Sequence, residues 1–482
     1  MHDGIIAGML KKVAVRTKIH PRHRVTLHSP GHRSRVSFAG LDLERTLRGF
    51  RPSLAPTMNL CMMTNTYLPH VGGVARSVST FAEEFRKRKH RVLVIAPDFE
   101  GRPLSARAVA MVERVPAIQK FNGSDFSVRL PLAGGLSKRV ESFQADIIHA
   151  HHPFLLGNTA LRLATKKNVP IVFTHHTRYE DYTHYVPFDS PTLKEMAIGL
   201  STHFANLCDG VIAPSESLAR LIKRRGVEVP IRVVPTGIDV QAFAQGDGAR
   251  FRRKFKLPPA AFVVGHLGRL APEKNLEYLA ESVALFVKRT PQSRFLVVGG
   301  GPSEETLREI FARHGIAEQL ILAGKHTGSA LADAYCAMDV FVFASFSETQ
   351  GMVLAEAMAA GLPVIALDAS GVREVMRDGQ NGFMLPKNAP PPSFAAHLAQ
   401  LHRDRKRRRA FGVEARRTAE LFSRERCADL ALAFYADVRR ATRRERLLVD
   451  RSPWGQMIER VGIEWKIFVE KAQSVAQAVG GR

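Results

Sequence analysis

From Met58 onward, short apolar runs alternate with stretches whose apolar residues recur every three or four positions. The first pattern fits strands buried on both faces and the second amphipathic helices. Their alternation predicts parallel α/β layers. In the first half the strand-like runs are 58–64 (MNLCMMT), 91–97 (RVLVIAP), 145–151 (ADIIHAH), 170–176 (PIVFTHH), 210–215 (GVIAPS) and 231–236 (IRVVPT). A polar stretch, QGDGARFRRKFKLPP, reads as an interdomain linker. Strands then resume at 261–268, 294–300, 319–324, 339–345, 363–367 and 382–386. The pattern therefore predicts two doubly wound domains of similar size with a cleft between them. In open α/β sheets, ligands bind at the carboxyl ends of the strands.

The flanks follow other rules. Residues 1–57 are rich in Arg and His, with scattered apolar positions, and read as a disordered basic extension or as sequence ahead of a start at Met58. After Pro392 the chain becomes helical and strongly basic. Segment 452–479 then sets Trp454, Met457, Ile458, Val461, Trp465 and Phe468 at helical spacing. The expected layout is an extension (1–57), an N-terminal acceptor domain (58–243), a C-terminal donor domain (244–420), a closing helix (421–450) and an amphipathic tail (451–482).

Composition changes this picture in one respect. The 482 residues are 45% hydrophobic and 24% charged, enough for two cores, but 70 Lys and Arg face 45 Asp and Glu, leaving a net charge of +25. Such an excess favours an anionic partner: nucleic acid, a phosphorylated substrate or an acidic membrane face. No aromatic interleaving supports nucleic acid. Cys61, Cys208, Cys336 and Cys427 are far apart and show no metal-type spacing, as expected of a reducing compartment. With no apolar run long enough to span a bilayer and no secretory signal pattern, the expected location is cytoplasmic.

Candidate chemistry gathers in the second half. HLGRLAPEKN places Arg269 and Lys274 in a strand-to-helix loop, where a guanidinium fork and a mobile ammonium can converge on one anion. Two solvated surface cations would look the same. In SETQGMVLAEAMAAG, Glu348 falls in the turn after a strand and Glu356 on the following helix, while Gly351 and Met352 offer backbone N–H groups at its start. A phosphate suits those amides, and the flanking carboxylates suit hydroxyls. A nucleotide-sugar supplies both. An exposed Glu348 and a Glu356 that merely favours the helix dipole is the structural alternative.

Several motifs, in order, resemble the retaining glycosyltransferases of family four, which have the GT-B fold. They are YLPHVGGVARSV (67–78), DIIHAHHPF (146–154), VVPTGID (233–239), GRLAPEKN, VVGGGP (297–302) and the Glu348-x7-Glu356 segment. The family often has an acidic residue where Gly300 stands. The resemblance implies that Arg269 and Lys274 hold the donor diphosphate, that Glu356 binds the ribose and that Glu348 orients the transferred sugar. It also implies that Gly72 and Gly73 let the first loop approach the phosphates, that His151 stands near the reacting carbon, and that Gly324 and Lys325 flank the nucleobase. No metal and no other cofactor is expected, because cations and a helix start take the metal's place.

The acceptor is addressed by THHTRYEDYTHYVP, where Tyr179, Tyr182 and Tyr185 recur every third residue beside His175, His176 and Arg178. Core packing of a short helix is the plain reading. The segment is also similar to one in bacterial diacylglycerol glucosyltransferases of the same family, which implies a lipid acceptor met through His176, Arg178, Tyr179 and Tyr182 at an anionic membrane surface. RKRKHR (86–91) and the tail are candidate surface contacts. The expected activity is hexose transfer from UDP-glucose to a lipid such as diacylglycerol. The alternatives are a GDP-mannose-dependent mannosyltransferase acting on a phospholipid or polysaccharide precursor, and a basic nucleic-acid-binding protein on the same fold. A nucleotide-sugar epimerase would use a different acid and base set.

Overall fold

The run NLCMM forms β1 (Asn59–Met63), a strand buried on both faces at the middle of the first sheet. The computed structural model describes residues 56–69, 72–98, 111–118, 128–129, 137–181, 190–346 and 348–446. Helix α1 (Gly73–Lys87) leads to β2 (Arg91–Pro97) and β3 (Val112–Val115), and β4 (Ala117–Ile118) pairs with β5 (Val128–Arg129) as a small antiparallel ribbon. Then come α2 (Lys138–Ser142), β6 (Ile147–Ala150), α3 (Leu156–Lys167), β7 (Ile171–Thr174), α4 (Pro191–Asn206), β8 (Gly210–Ala213), α5 (Glu216–Arg224) and β9 (Ile231–Val233). The sheet order is β3-β2-β1-β6-β7-β8-β9, all parallel.

A short helix, α6 (Val240–Ala244), ends just before the stretch read as a linker, and a second, α7 (Gly248–Lys254), lies within it. Asp239 and Asp247 cap them, each accepting a hydrogen bond from the N–H three residues on. The second half runs β10 (Val263–Leu267), α8 (Leu276–Arg289), β11 (Arg294–Val298), α9 (Glu304–Arg313), β12 (Leu320–Gly324), α10 (Ser329–Cys336), β13 (Val340–Phe343), α11 (Met352–Ala359), β14 (Val364–Leu367), α12 (Ser370–Val375) and β15 (Gly382–Leu385). Its order, β12-β11-β10-β13-β14-β15, is again parallel. Each sheet reverses strand order once, between β1 and β6 and between β10 and β13, which places a crevice at the carboxyl ends of those strands.

Both faces of each sheet are buried, so four apolar clusters fill the molecule. Helices α13 (Pro391–Arg403) and α14 (Arg405–Glu420) pack on the second half, and α15 (Arg424–Arg446) crosses back to the first. Along α15, Cys427, Ala431, Phe434, Tyr435 and Val438 join Leu60, Val78 and Phe85 in one cluster. The two crossings between halves lie side by side, with Ile238 N donating to Phe422 O at 2.9 Å and Arg424 N to Ile238 O at 3.0 Å. A side chain at Gly237 would stand 2.2 Å from the Arg424 backbone, so the approach depends on glycine.

Candidate active site

The loop after β10 is tied to the glycine-rich turn after β11. Gly268 N donates to Val298 O at 3.0 Å, Leu270 N to Gly300 O at 3.2 Å, and Ser303 N to Leu270 O at 3.0 Å. A Cβ at Gly301 would lie 2.3 Å from Leu270 O, so a side chain there would force the two loops apart. Lys274 closes a single 3-10 turn, Pro272–Lys274. Arg269 turns to Glu273 in its own loop and is half exposed, at 51%. Lys274 points the other way, its Nζ 3.5 Å from Glu348 Oε2, and both side chains are about four-fifths buried.

Glu348 thus stands beside the strand-end cation that the sequence pairs with a diphosphate. Gly351, at φ +74, turns the chain into α11 and donates its N–H to Glu348 Oε1 at 3.4 Å. Leu354 N donates to Gly351 O at 3.0 Å, and the N–H groups ahead of it have no partner within the helix. Glu356, one turn further on, is completely buried. Tyr335 on α10 donates its hydroxyl to Glu356 Oε2 at 2.8 Å. Arg76 Nη1 lies 2.6 Å from Oε1, an ion pair without an aligned hydrogen bond. Burial pushes the Glu356 carboxyl up, against the opposing pull of Arg76 and Tyr335.

Arg76 belongs to the other half. Gly72, in extended backbone, precedes α1, and Gly73 opens it with free space where a side chain would stand. One turn later Arg76 reaches across the cleft. Gln350 Nε2 donates to Thr236 O at 2.9 Å across the same cleft, and Thr236 Oγ1 donates to Ser77 Oγ at 3.0 Å within the first half.

The histidines form a buried group at the ends of β6 and β7. His151 Nδ1 and His176 Nε2 lie 2.9 Å apart, and His149 stands between Thr174 Oγ1 and Tyr435 Oη, each at 2.6 Å. Burial lowers His149 to about 3 and His152 and His175 to about 4, and holds His151 and His176 well below the ordinary 6.5. All five are therefore neutral at pH 7. His151 Nε2 is buried without a partner.

Gly324 adopts φ +74 and its carbonyl accepts from Gly299 N at 2.9 Å, with Lys325 exposed beside Gly300. Arg178 pairs with Glu180 at 3.2 Å and Asp181 at 3.3 Å and lines a cavity of about 390 Å³ that also touches Glu348, Thr349 and Arg373. Tyr179 turns inward, packing against Phe154 and His175 with its hydroxyl buried. A 3-10 turn at 179–181 stands where the tyrosine stripe begins, and Tyr182 and Tyr185 lie outside the described residues, as does the tail 451–482. In the basic run 86–91, Lys87 and Arg88 pair with Glu84, Arg88 also with Asp429, and Arg86 donates to Val92 O and Met111 O.

Sequence reasoning missed Arg76 and Tyr335. Arg76 had one signal, its place one turn inside the helix that follows Gly72-Gly73. Tyr335 had none, since an aromatic in ALADAYCAM reads as core. Among the described residues no cluster of three His, Cys, Asp or Glu side chains is arranged to hold a metal ion, and no helix is long and apolar enough to cross a membrane.

Two parallel doubly wound halves with a cleft at their switch points define a GT-B glycosyltransferase architecture. Solved structures of this kind align with the chain: Anabaena HepE in complex with UDP has a TM-score of 0.62 at 20% identity, covering 79% of this chain and 100% of that one. Sucrose-phosphate synthase from Thermosynechococcus elongatus also scores 0.62, at 19% identity, covering 80% and 100%. Residues 71–242 match Glycosyltransferase Family 4 and residues 247–418 match Glycosyl transferases group 1. An alpha-monoglucosyldiacylglycerol synthase from Streptococcus pneumoniae is 32% identical over 319 residues, 64% of this chain and 71% of that protein. A GDP-mannose-dependent alpha-mannosyltransferase from Mycobacterium tuberculosis is 30% identical over 385 residues, 79% of this chain and 97% of that protein. The chain belongs to glycosyltransferase family 4.

Proposed function

We propose that this enzyme transfers a hexose, with retention of configuration, from a nucleotide-sugar to a hydroxyl of a diacylglycerol-type lipid at the cytoplasmic membrane face. The observation that carries the reading is the Lys274–Glu348 pair at 3.5 Å, set at the switch point beside the buried Glu356. In this reading Lys274 and Arg269, released from Glu273, take up charge on the departing diphosphate, and the amides of Gly351 and Met352 add to it. Glu348 accepts from hydroxyls of the sugar and Glu356 from the ribose. Gly72 and Gly73 give the phosphates close access to the backbone. Cations and amides do the work of a metal, so none is required. The C1–phosphate bond breaks with its electrons going to the diphosphate. The acceptor oxygen bonds to C1, and its proton passes to the diphosphate oxygen that has taken up the electrons of the broken bond.

UDP-glucose is the first donor and diacylglycerol the first acceptor, supported by similarity to the pneumococcal synthase. The second reading, GDP-mannose, is supported by the mannosyltransferase similarity along 97% of that relative. The net charge of +25 supports peripheral attachment to anionic lipid, and no nucleic acid partner is assigned. The test is incubation of the full-length enzyme with labelled UDP- or GDP-hexoses and a bacterial lipid extract. Label in the organic phase, from one donor base, is expected. Label that stays in the aqueous phase with every donor would overturn the lipid acceptor.

A further inference from the structure

The cavity between the halves has Glu348 and Thr349 on one wall and helix α5 on the other. Arginines dominate it: Arg178, Arg220, Arg224 and Arg373, against Glu348 as the single carboxylate among its lining residues. Arg178 has its own carboxylates in Glu180 and Asp181, and Arg373 holds Asp368 at 2.6 Å. Glu348 is itself engaged by Lys274. Arg220 and Arg224 are different. They stand one turn apart on α5, and neither closes an ion pair or hydrogen bond with a described residue, although Arg220 feels the charge of Glu216 on the preceding turn.

We propose that Arg220 and Arg224 bind an anionic group, a phosphate or a carboxylate, carried by the acceptor lipid next to its accepting hydroxyl. The inference rests on the lipid-acceptor reading above and sets an anionic lipid ahead of neutral diacylglycerol within it, because a neutral headgroup gains nothing from these two cations. Their scaffold is fixed. Ser215 Oγ accepts from Leu218 N at 3.2 Å, and Leu218 and Ile222 anchor the buried side of the helix. Glu374, from the opposite half, accepts from Glu216 N at 3.0 Å and Ser217 N at 2.8 Å, which locks the start of α5 to the donor domain. Side chains one turn apart on a helix are neighbours, and two guanidinium forks at that spacing can share the oxygens of one phosphate or carboxylate. Glu348 forms the facing wall, so an acceptor whose hydroxyl reaches the sugar from this cavity sets its neighbouring groups against α5.

The experiment compares wild type with an Arg220→Gln, Arg224→Gln double variant in uncharged detergent micelles, so that bilayer surface charge plays no part. Acceptors are phosphatidylglycerol and glucuronosyl-diacylglycerol, each with a hydroxyl beside an anion, and neutral diacylglycerol and monoglucosyl-diacylglycerol. Wild type is expected to favour the anionic lipids. In the double variant, kcat/KM for anionic relative to neutral lipid is expected to fall by about tenfold or more through KM, the size of one lost charge-assisted hydrogen bond. The ratio is independent of the fraction of enzyme that folds. If the variant does not fold at all, the wild-type preference still decides. Equal selectivity in both proteins, or a wild type that prefers neutral lipid, overturns this inference and leaves the lipid-transfer reading standing. No label in any lipid overturns both.

Discussion

Arg76 and Glu356 face each other across the interdomain cleft at 2.6 Å, the glutamate side chain wholly buried and the arginine side chain 43% exposed. The pair joins the first helix of the N-terminal half to the helix that carries the second glutamate of the site. Replacing Arg76 by Ala leaves Glu356 with Tyr335 as its single polar partner. The expected loss is about 1–3 kcal/mol from an under-compensated buried charge, together with looser association of the halves. Small-angle scattering should report a larger radius of gyration for Arg76→Ala without donor, and an unchanged radius would refute the contact as a latch.

Glu348 lies beside Lys274, so its role can be separated from folding. Glu348→Gln keeps the shape and removes the charge. Transfer should fall by two orders of magnitude or more, the scale of a lost transition-state contact, while nucleotide binding measured by calorimetry stays within a few-fold of wild type. Full transfer activity in this variant would remove Glu348 from the site.

Gly351 makes a purely conformational prediction. Its φ of +74 is left-handed, and an added Cβ would stand 2.6 Å from Gly371 O. Gly351→Ala should cost about 1–2 kcal/mol for the backbone alone, plus the displacement of the 370–371 segment. Chemical denaturation should show the loss, and donor affinity should fall with it, because the same residue directs the start of α11. A denaturation midpoint equal to that of wild type would contradict the geometry.

The buried imidazoles set the acid limit of the fold. His149 at about 3, and His152, His175 and His266 at about 4, are neutral in the native protein, whereas unfolded histidines titrate near 6.5. Between those values the unfolded chain binds more protons. Stability is therefore full above about pH 6.5 and declines as pH falls toward 4, by about 1.4 kcal/mol per pH unit for each such histidine. Urea midpoints measured from pH 7.5 to 4.5 should be flat at first and then drop. A profile that stays flat to pH 4.5 would show these imidazoles to be accessible in the native state.

Much of this was readable in the amino-acid order because parallel strands buried on both faces are nearly continuous apolar runs. RVLVIAP and DVFVFAS could hardly be anything else. Arg269, Lys274, Glu348 and Glu356 were legible because all four lie on or just after loops that leave strands of one half. What escaped depends on distant partners. Arg76 meets Glu356 only once the halves close, and Arg220 and Arg224 gain meaning only opposite Glu348. The short edge strand VERV lacks the apolar run that marked the others, and the segment read as a linker contains α7, started by the Asp247 cap. Tyr179 followed the packing reading of its segment: its ring is inside, where periodicity alone cannot tell a binding stripe from a core.

Helix α15 carries a consequence for how the molecule is made. The core of the N-terminal half is completed by Phe434, Tyr435 and Val438, and Tyr435 supplies the hydroxyl that meets His149. A ribosome delivers those residues only after the whole donor domain has emerged. Until then the first half of the chain carries an uncovered apolar surface around Phe85. A protein whose first domain is written first is finished from its end.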